Sequence, residues 1–109
     1  HRQLFTDIFM FSGEGQHTVS LRMGRLARNI LVEEYPKAAA YVTDNGADHW
    51  LLQLEVCSYM GIGRFVLGLY DDIEVLSDDG FRRYLKEKIE KMAAQTQKTN
   101  AQNKGKEIS

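Results

Sequence analysis

An α+β domain built on a four-stranded antiparallel sheet is predicted by three observations. Two stretches alternate with the period of two that marks a strand buried on one side. In the first, His17, Val19, Leu21 and Met23 fall opposite Thr18, Ser20 and Arg22; in the second, Trp50, Leu52, Leu54 and Val56 fall opposite Gln53 and Glu55. Stretches with helical spacing follow each of them. Finally, 109 residues with 43% hydrophobic content make one domain with a core of modest size.

The elements follow in order. Residues 4–11 (Leu-Phe-Thr-Asp-Ile-Phe-Met-Phe) are dense in aromatics and must dock on their own domain or on a neighbour, since in water they would form an apolar patch. Ser12-Gly13-Glu14-Gly15 is a turn or hinge. The first strand spans 16–23. A helix over 24–35 presents Leu26, Ala27, Ile30, Leu31 and Tyr35 on one face, with Arg25, Arg28, Asn29 and Glu33 opposite. Pro36 stops it. A weak edge strand over 37–43 and a turn at Asp44-Asn45-Gly46 lead into the strand over 50–56.

Residues 59–70 hold three glycines, yet Ile62, Phe65, Val66 and Leu69 keep helical intervals and predict a short helix. A fourth strand covers 72–76. Ser77 or Asp78 is placed to cap a last helix whose buried stripe reads Phe81, Leu85, Ile89 and Met92, with Glu87 and Lys91 spaced to pair outside. From Gln95 the chain is polar and is expected to be disordered. The order is βαββαβ plus a C-terminal helix, the ferredoxin-like arrangement, with helices on one sheet face and a polar face left open. The expected organisation is a linker or docking segment at 1–15, the domain at 16–94, and a tail at 95–109.

A net charge of −1 lacks the basic excess that gives non-specific nucleic-acid affinity. The single cysteine, Cys57, cannot form an internal disulfide and fits a reducing cytoplasm. No apolar run is long enough to cross a bilayer. The first residue is His, so either something removed upstream or a domain cut from a longer protein is expected.

The residues that could carry chemistry do not assemble into a catalytic set. His17, His49 and Cys57 lack ligand spacing, so no metal site is expected, and no cofactor. Cys57 has no base beside it and reads as a half-buried strand-end residue. Asp71-Asp72 and Asp78-Asp79 read as turn and cap carboxylates. Gly61-x-Gly63-Arg64 departs from both the P-loop and the dinucleotide fingerprint. The open sheet face carries no aromatic on which a base could stack. Arginines remain. Arg22, Arg25 and Arg28 cluster, Arg82-Arg83 open the last helix, and Arg64 stands in an apolar run, facing a partner or joined in a salt bridge. A non-enzymatic domain is expected.

Several stretches together resemble a known family. Val19-Ser20-Leu21-Arg22-Met23, then Glu33-Glu34-Tyr35-Pro36, the strand over 50–56, the run Gly61 to Leu69, and Asp72-Ile73-Glu74-Val75-Leu76 look like the C-terminal extension (WCX domain) of bacterial WYL-domain transcriptional regulators. Thr6-Asp7-Ile8-Phe9 resembles the linker that joins the WYL domain to that extension. The resemblance implies a regulatory and oligomerisation domain working with an upstream WYL domain and a helix-turn-helix of the same polypeptide. It further implies dimer contacts and effector sensing, with DNA reached through the full-length protein. On this reading Arg64, then Arg22 and Arg25, contact effector or nucleic acid, while Phe5, Ile8, Phe9 and Phe11 carry self-association. A small-molecule sensor of the same topology, like the amino-acid-sensing ACT domains, is the alternative; there the glycines of 61–68 would let backbone approach a ligand.

Overall fold

A computed structural model of the chain describes residues 5–13 and 15–108, with side chains through residue 97. A two-stranded ribbon comes first, β1 (Phe5–Thr6) against β2 (Ser12–Gly13). Then follow β3 (His17–Met23), α1 (Arg25–Glu34), β4 (Val42–Asp44), β5 (Trp50–Val56), α2 (Tyr59–Gly68), β6 (Ile73–Ser77) and α3 (Asp79–Ile108). The main sheet has the order β4-β5-β3-β6 with every pair antiparallel, the ferredoxin-like topology expected from the sequence.

Central β3 pairs along its whole length with β5, from His17↔Val56 to Met23↔Trp50, and on its other side with β6, from Met23↔Ile73 to Ser20↔Ser77 across a register shift. Val19, Leu21 and Met23 are fully buried, as are Leu52 and Val56 on β5. Ala27 and Leu31 of α1, Ile62, Phe65 and Val66 of α2, and Phe81 and Leu85 of α3 cover that face. The opposite face keeps Thr18, Gln53, Glu55 and Glu74 exposed.

Each helix start finds an acceptor. Ser58 Oγ accepts the Met60 amide at 3.1 Å, and Asp78 Oδ1 accepts the Phe81 amide at 2.7 Å, so Asp78 is the cap of α3. The first residue before α1 is Gly24, which has no side chain to serve as a cap. Asp72 serves from across the sheet end instead: its Oδ2 accepts the Ala27 amide at 2.7 Å, and its carbonyl accepts the Gly24 amide at 2.9 Å. A Cβ at position 24 would run into the Asp72 carboxylate, so the absence of a side chain there is a packing requirement.

Four expectations need correction. Residues 37–43 do not form a strand: Pro36–Tyr41 is a 3-10 turn that buries Ala38, and only Val42–Asp44 pairs with β5. Three successive alanines have little β preference, and proline starts a helical turn well. Leu26 is 56% exposed, because Ala27 and Leu31 supply the contact of α1. Ile89 and Met92 are also exposed, since α3 leaves the domain after Leu85. The polar stretch from Gln95 continues α3 to Ile108; Ala93, Ala94 and Gln97 are good helix formers that extend a helix already nucleated.

The tight approach at Gly24 has a measurable consequence. Gly24→Ala is expected to lower unfolding free energy by about 1–3 kcal/mol through overpacking, and Asp72→Ala by about 1 kcal/mol through the lost cap. In the Asp72→Ala background the alanine at 24 should cost much less, which urea denaturation of the four proteins of a double-mutant cycle would show. Additive losses would mean that the two positions do not compete for space.

Candidate functional site

The predicted contact residues are divided between the two layers. Arg22 projects from the open face of β3, where its Nε donates to Asn45 Oδ1 at 3.1 Å and a guanidinium nitrogen lies 3.9 Å from Glu74. Arg25 opens α1 and pairs with Asp48. Arg64 is exposed on α2 in the helical layer and has no hydrogen-bond or ion-pair partner among the described residues. Arg22 and Arg25 thus share one end of the sheet, and Arg64 does not join them. Arg28, read from the sequence as part of a solvated face, is half-buried with its guanidinium 5.4 Å from the centre of the Trp50 ring.

A polar corner of about 210 Å³ lies beside Arg22 and is lined by Gly24, His49, Asp71, Asp72, Ile73 and Glu74. One arginine and one histidine face three carboxylates there. Asp72 is already occupied as the remote cap of α1. The balance favours an ammonium or zwitterion over a phosphate. Among the described residues no group of three or more histidine, cysteine or carboxylate side chains could hold a metal ion.

The aromatic segment at the amino end docks on its own domain. Phe9 is 6% exposed, meets the Tyr35 ring edge-on at 4.7 Å, and lies so close to Gly61 that a Cβ there would strike it. Ile8 and Phe11 pack partly against the same core, and Phe5 is half-buried. Of the expected self-association set, Phe9 is buried within its own chain, whereas Phe5, Ile8 and Phe11 keep part of their surface exposed. Phe9 also makes this segment part of the domain that was expected to begin at residue 16. Leu4 lies outside the described residues. Asp7, the lone buried charged residue among them, holds the segment. Its Oδ1 accepts the Phe9 and Phe11 amides at 2.9 and 3.1 Å, and its Oδ2 accepts the Cys57 amide at 3.0 Å, just past β5. Cys57 is half-buried, as expected, with its thiol directed at the Phe5 carbonyl.

A second polar knot joins three elements. The Tyr59 hydroxyl at the start of α2 donates to Asp78, with carboxylate oxygens at 2.9 and 3.1 Å. Its single proton is thereby committed, so the contact with His17 Nδ1 at 3.2 Å requires the imidazole to donate. The Tyr59 ring also packs on Phe81 and Tyr84. Burial, then the hydrogen bond to Asp78 and that carboxylate's charge, push the phenol up from 10.0 to about 12, while Arg83 pulls it the other way.

Neither Asp7 nor the Tyr59 knot is apparent from the sequence. Asp7 shows only as an acid among aromatics, and its farthest partner is 50 positions away. Comparison with protein-family models, curated proteins and solved structures finds no match.

The raised Tyr59 phenol sets a pH dependence. The folded state holds the proton more tightly than the unfolded chain, so this contribution is fully present below pH 10 and is lost as pH rises toward about 12. Tyr59→Phe should flatten the stability profile in that window, as followed by denaturant titration at a series of pH values. An unchanged slope in the variant would place the titration elsewhere.

Proposed function

We propose that this domain is the C-terminal regulatory and oligomerisation extension of a WYL-type DNA-binding transcriptional regulator, and that it does not itself read DNA. The observation that carries the reading is the Asp7 anchor. In the segment that resembles the linker from a WYL domain, one buried carboxylate accepts the Cys57 amide at the end of β5 and also folds the segment on itself by accepting the Phe9 and Phe11 amides. A domain attached ahead of it would be held in a defined position against the sheet. The ferredoxin-like topology supports the same reading. Cytoplasmic location and a non-enzymatic role belong to this proposal.

Dimer contacts fall on α3 in this reading. Ile89 and Met92 continue the stripe of Phe81 and Leu85 beyond the body of the domain and stand 50% and 61% exposed. A second copy supplying the same face would cover them. Effector contact is assigned first to Arg64, whose guanidinium is unoccupied, with Arg22 and Arg25 behind it because both already hold acceptors. The small polar corner favours the second reading, an amino-acid sensor in which Arg22 meets a carboxylate and Asp71 or Glu74 an ammonium group.

The coding sequence directly upstream of His1 tests the principal reading. An in-frame winged helix-turn-helix followed by a WYL-type domain is expected; a start codon at that point would overturn it. In sedimentation equilibrium the chain should dimerise, and Ile89→Glu with Met92→Glu should return it to monomer; a wild-type monomer at high concentration rejects the α3 contact. A thermal-shift screen of amino acids and short oligonucleotides separates the two ligand sites. A shift abolished by Arg64→Ala supports the regulator, and one abolished only by Arg22→Ala supports the amino-acid sensor.

A further inference from the structure

The two edges of the main sheet are finished differently. On the outer side of β6, the Arg82 guanidinium donates to the Val75 and Leu76 carbonyls at 3.1 and 2.8 Å, which occupies main-chain acceptors that another strand could use. At the opposite edge the β4–β5 ladder stops at Val42↔Leu52, and the 3-10 turn Pro36–Tyr41 bends away. Residues 54–56 of β5 consequently face no strand on that side. The Asn45 amide donates to the His49 carbonyl, so by alternation along an antiparallel ladder the main-chain groups of Leu51, Gln53 and Glu55 point the same way. Glu55 lies wholly past the end of the ladder, and the next outward-facing amide, that of Cys57, is already held by Asp7.

The unfilled place is framed. Ile8 and Met10 of the amino-terminal segment form one wall of a groove of about 1220 Å³, and Pro36, Ala40 and Tyr41 form the other, over Leu54 and Glu55. That exceeds the roughly 300–1,000 Å³ of common small-molecule pockets. Its charged lining is Asp7, Glu34, Glu55 and Lys37, an excess of carboxylates even with Asp7 turned inward on its amides. Because the bare edge lies between two walls, the flank of a second folded copy cannot reach it, whereas a single extended segment can.

We propose that this groove binds an extended peptide, about three residues of which lie beside residues 54–56 of β5 as a short added strand, the central one a Lys or Arg exchanging main-chain hydrogen bonds with Glu55 and its neighbours apolar toward Leu54. Main-chain hydrogen bonds give the register, and the cross-strand pairing with Glu55 gives the preference for basic residues. The proposal shares the amino-terminal segment with the regulator reading but uses neither α3 nor Arg64, so the two can fail separately.

Fluorescence anisotropy with the labelled peptide Lys-Val-Lys-Val-Lys, capped at both ends, tests it. Saturable binding is expected, with the acidic counterpart Glu-Val-Glu-Val-Glu binding at least about tenfold more weakly. Glu55→Lys should weaken the basic peptide by about tenfold or more, while Glu74→Lys, the same charge change on β6, should leave it within about twofold. In the complex the Glu55 amide should gain protection from hydrogen exchange. Absence of saturable binding, equal binding of the two peptides, or equal loss in the two variants would each overturn the proposal.

Discussion

The constraint on which the fold depends is the complete burial of one face of β3. This strand is paired on both sides, and Val19, Leu21 and Met23 have no exposed surface. Fully burying such side chains contributes about 1.5–3 kcal/mol each, and only a close layer of helices can achieve it. That closeness sets local rules elsewhere. Gly24 must lack a side chain where the Asp72 carboxylate enters, and Gly61 must lack one where Phe9 lies on α2. Two of the three glycines that made the stretch from 61 to 68 look like a weak helix, Gly61 and Gly63, are places where another element needs the space. Gly63, under the Tyr84 ring, is a third such place.

What was legible in the sequence is what repeats locally. β3 and β5 could be read because each alternates over seven residues, and α2 because four apolar residues keep helical intervals despite the glycines. The width of a buried stripe is less legible than its direction. Leu26 and Ile89 have the right spacing, yet whether such a residue is covered depends on where the neighbouring layer ends. The stretch 37–43 misled for a different reason: its alanines carry almost no signal of strand or turn, and the docking of Ala38 decides the outcome. The site was less legible than the fold. Asp7, the remote cap supplied by Asp72 and the Tyr59–Asp78 bond join residues 19 to 50 positions apart, and a single sequence has no periodicity that reports such pairs.

The arginines show why residue type alone is a poor guide to a contact. Arg22, Arg25 and Arg28 look equivalent as a cluster. In the fold, Arg22 holds Asn45, Arg25 holds Asp48, and Arg28 lies over Trp50. The contacts of Arg22 and Arg25 contribute little to stability, about 0–1 kcal/mol, but they occupy donors that a ligand would need. Arg64, isolated in an apolar run, is isolated in space as well, because its neighbours on the exposed face of α2, Met60 and Gly68, carry no charge and the adjoining residues face the core. Its freedom follows from the placement of its neighbours.

The amino-terminal segment and the last helix are connected through the same small region of the domain. Asp7 grips the Cys57 amide, two positions before Tyr59, at the start of α2. Tyr59 in turn holds Asp78, whose carboxylate also receives the Phe81 amide in the first turn of α3. Main-chain and side-chain hydrogen bonds therefore run from the incoming chain to the base of a helix that, at 1.5 Å per residue over 30 residues, extends about 45 Å. Tyr59, Asp78 and Gly80 leave little slack between them: a Cβ at 80 would stand 2.6 Å from the Tyr59 hydroxyl. A shift of the amino-terminal segment large enough to move Cys57 must either strain this knot or tilt α3 with it. Tilting is the easier of the two, because Ile89 and Met92 stand 50% and 61% exposed where α3 leaves the body of the domain.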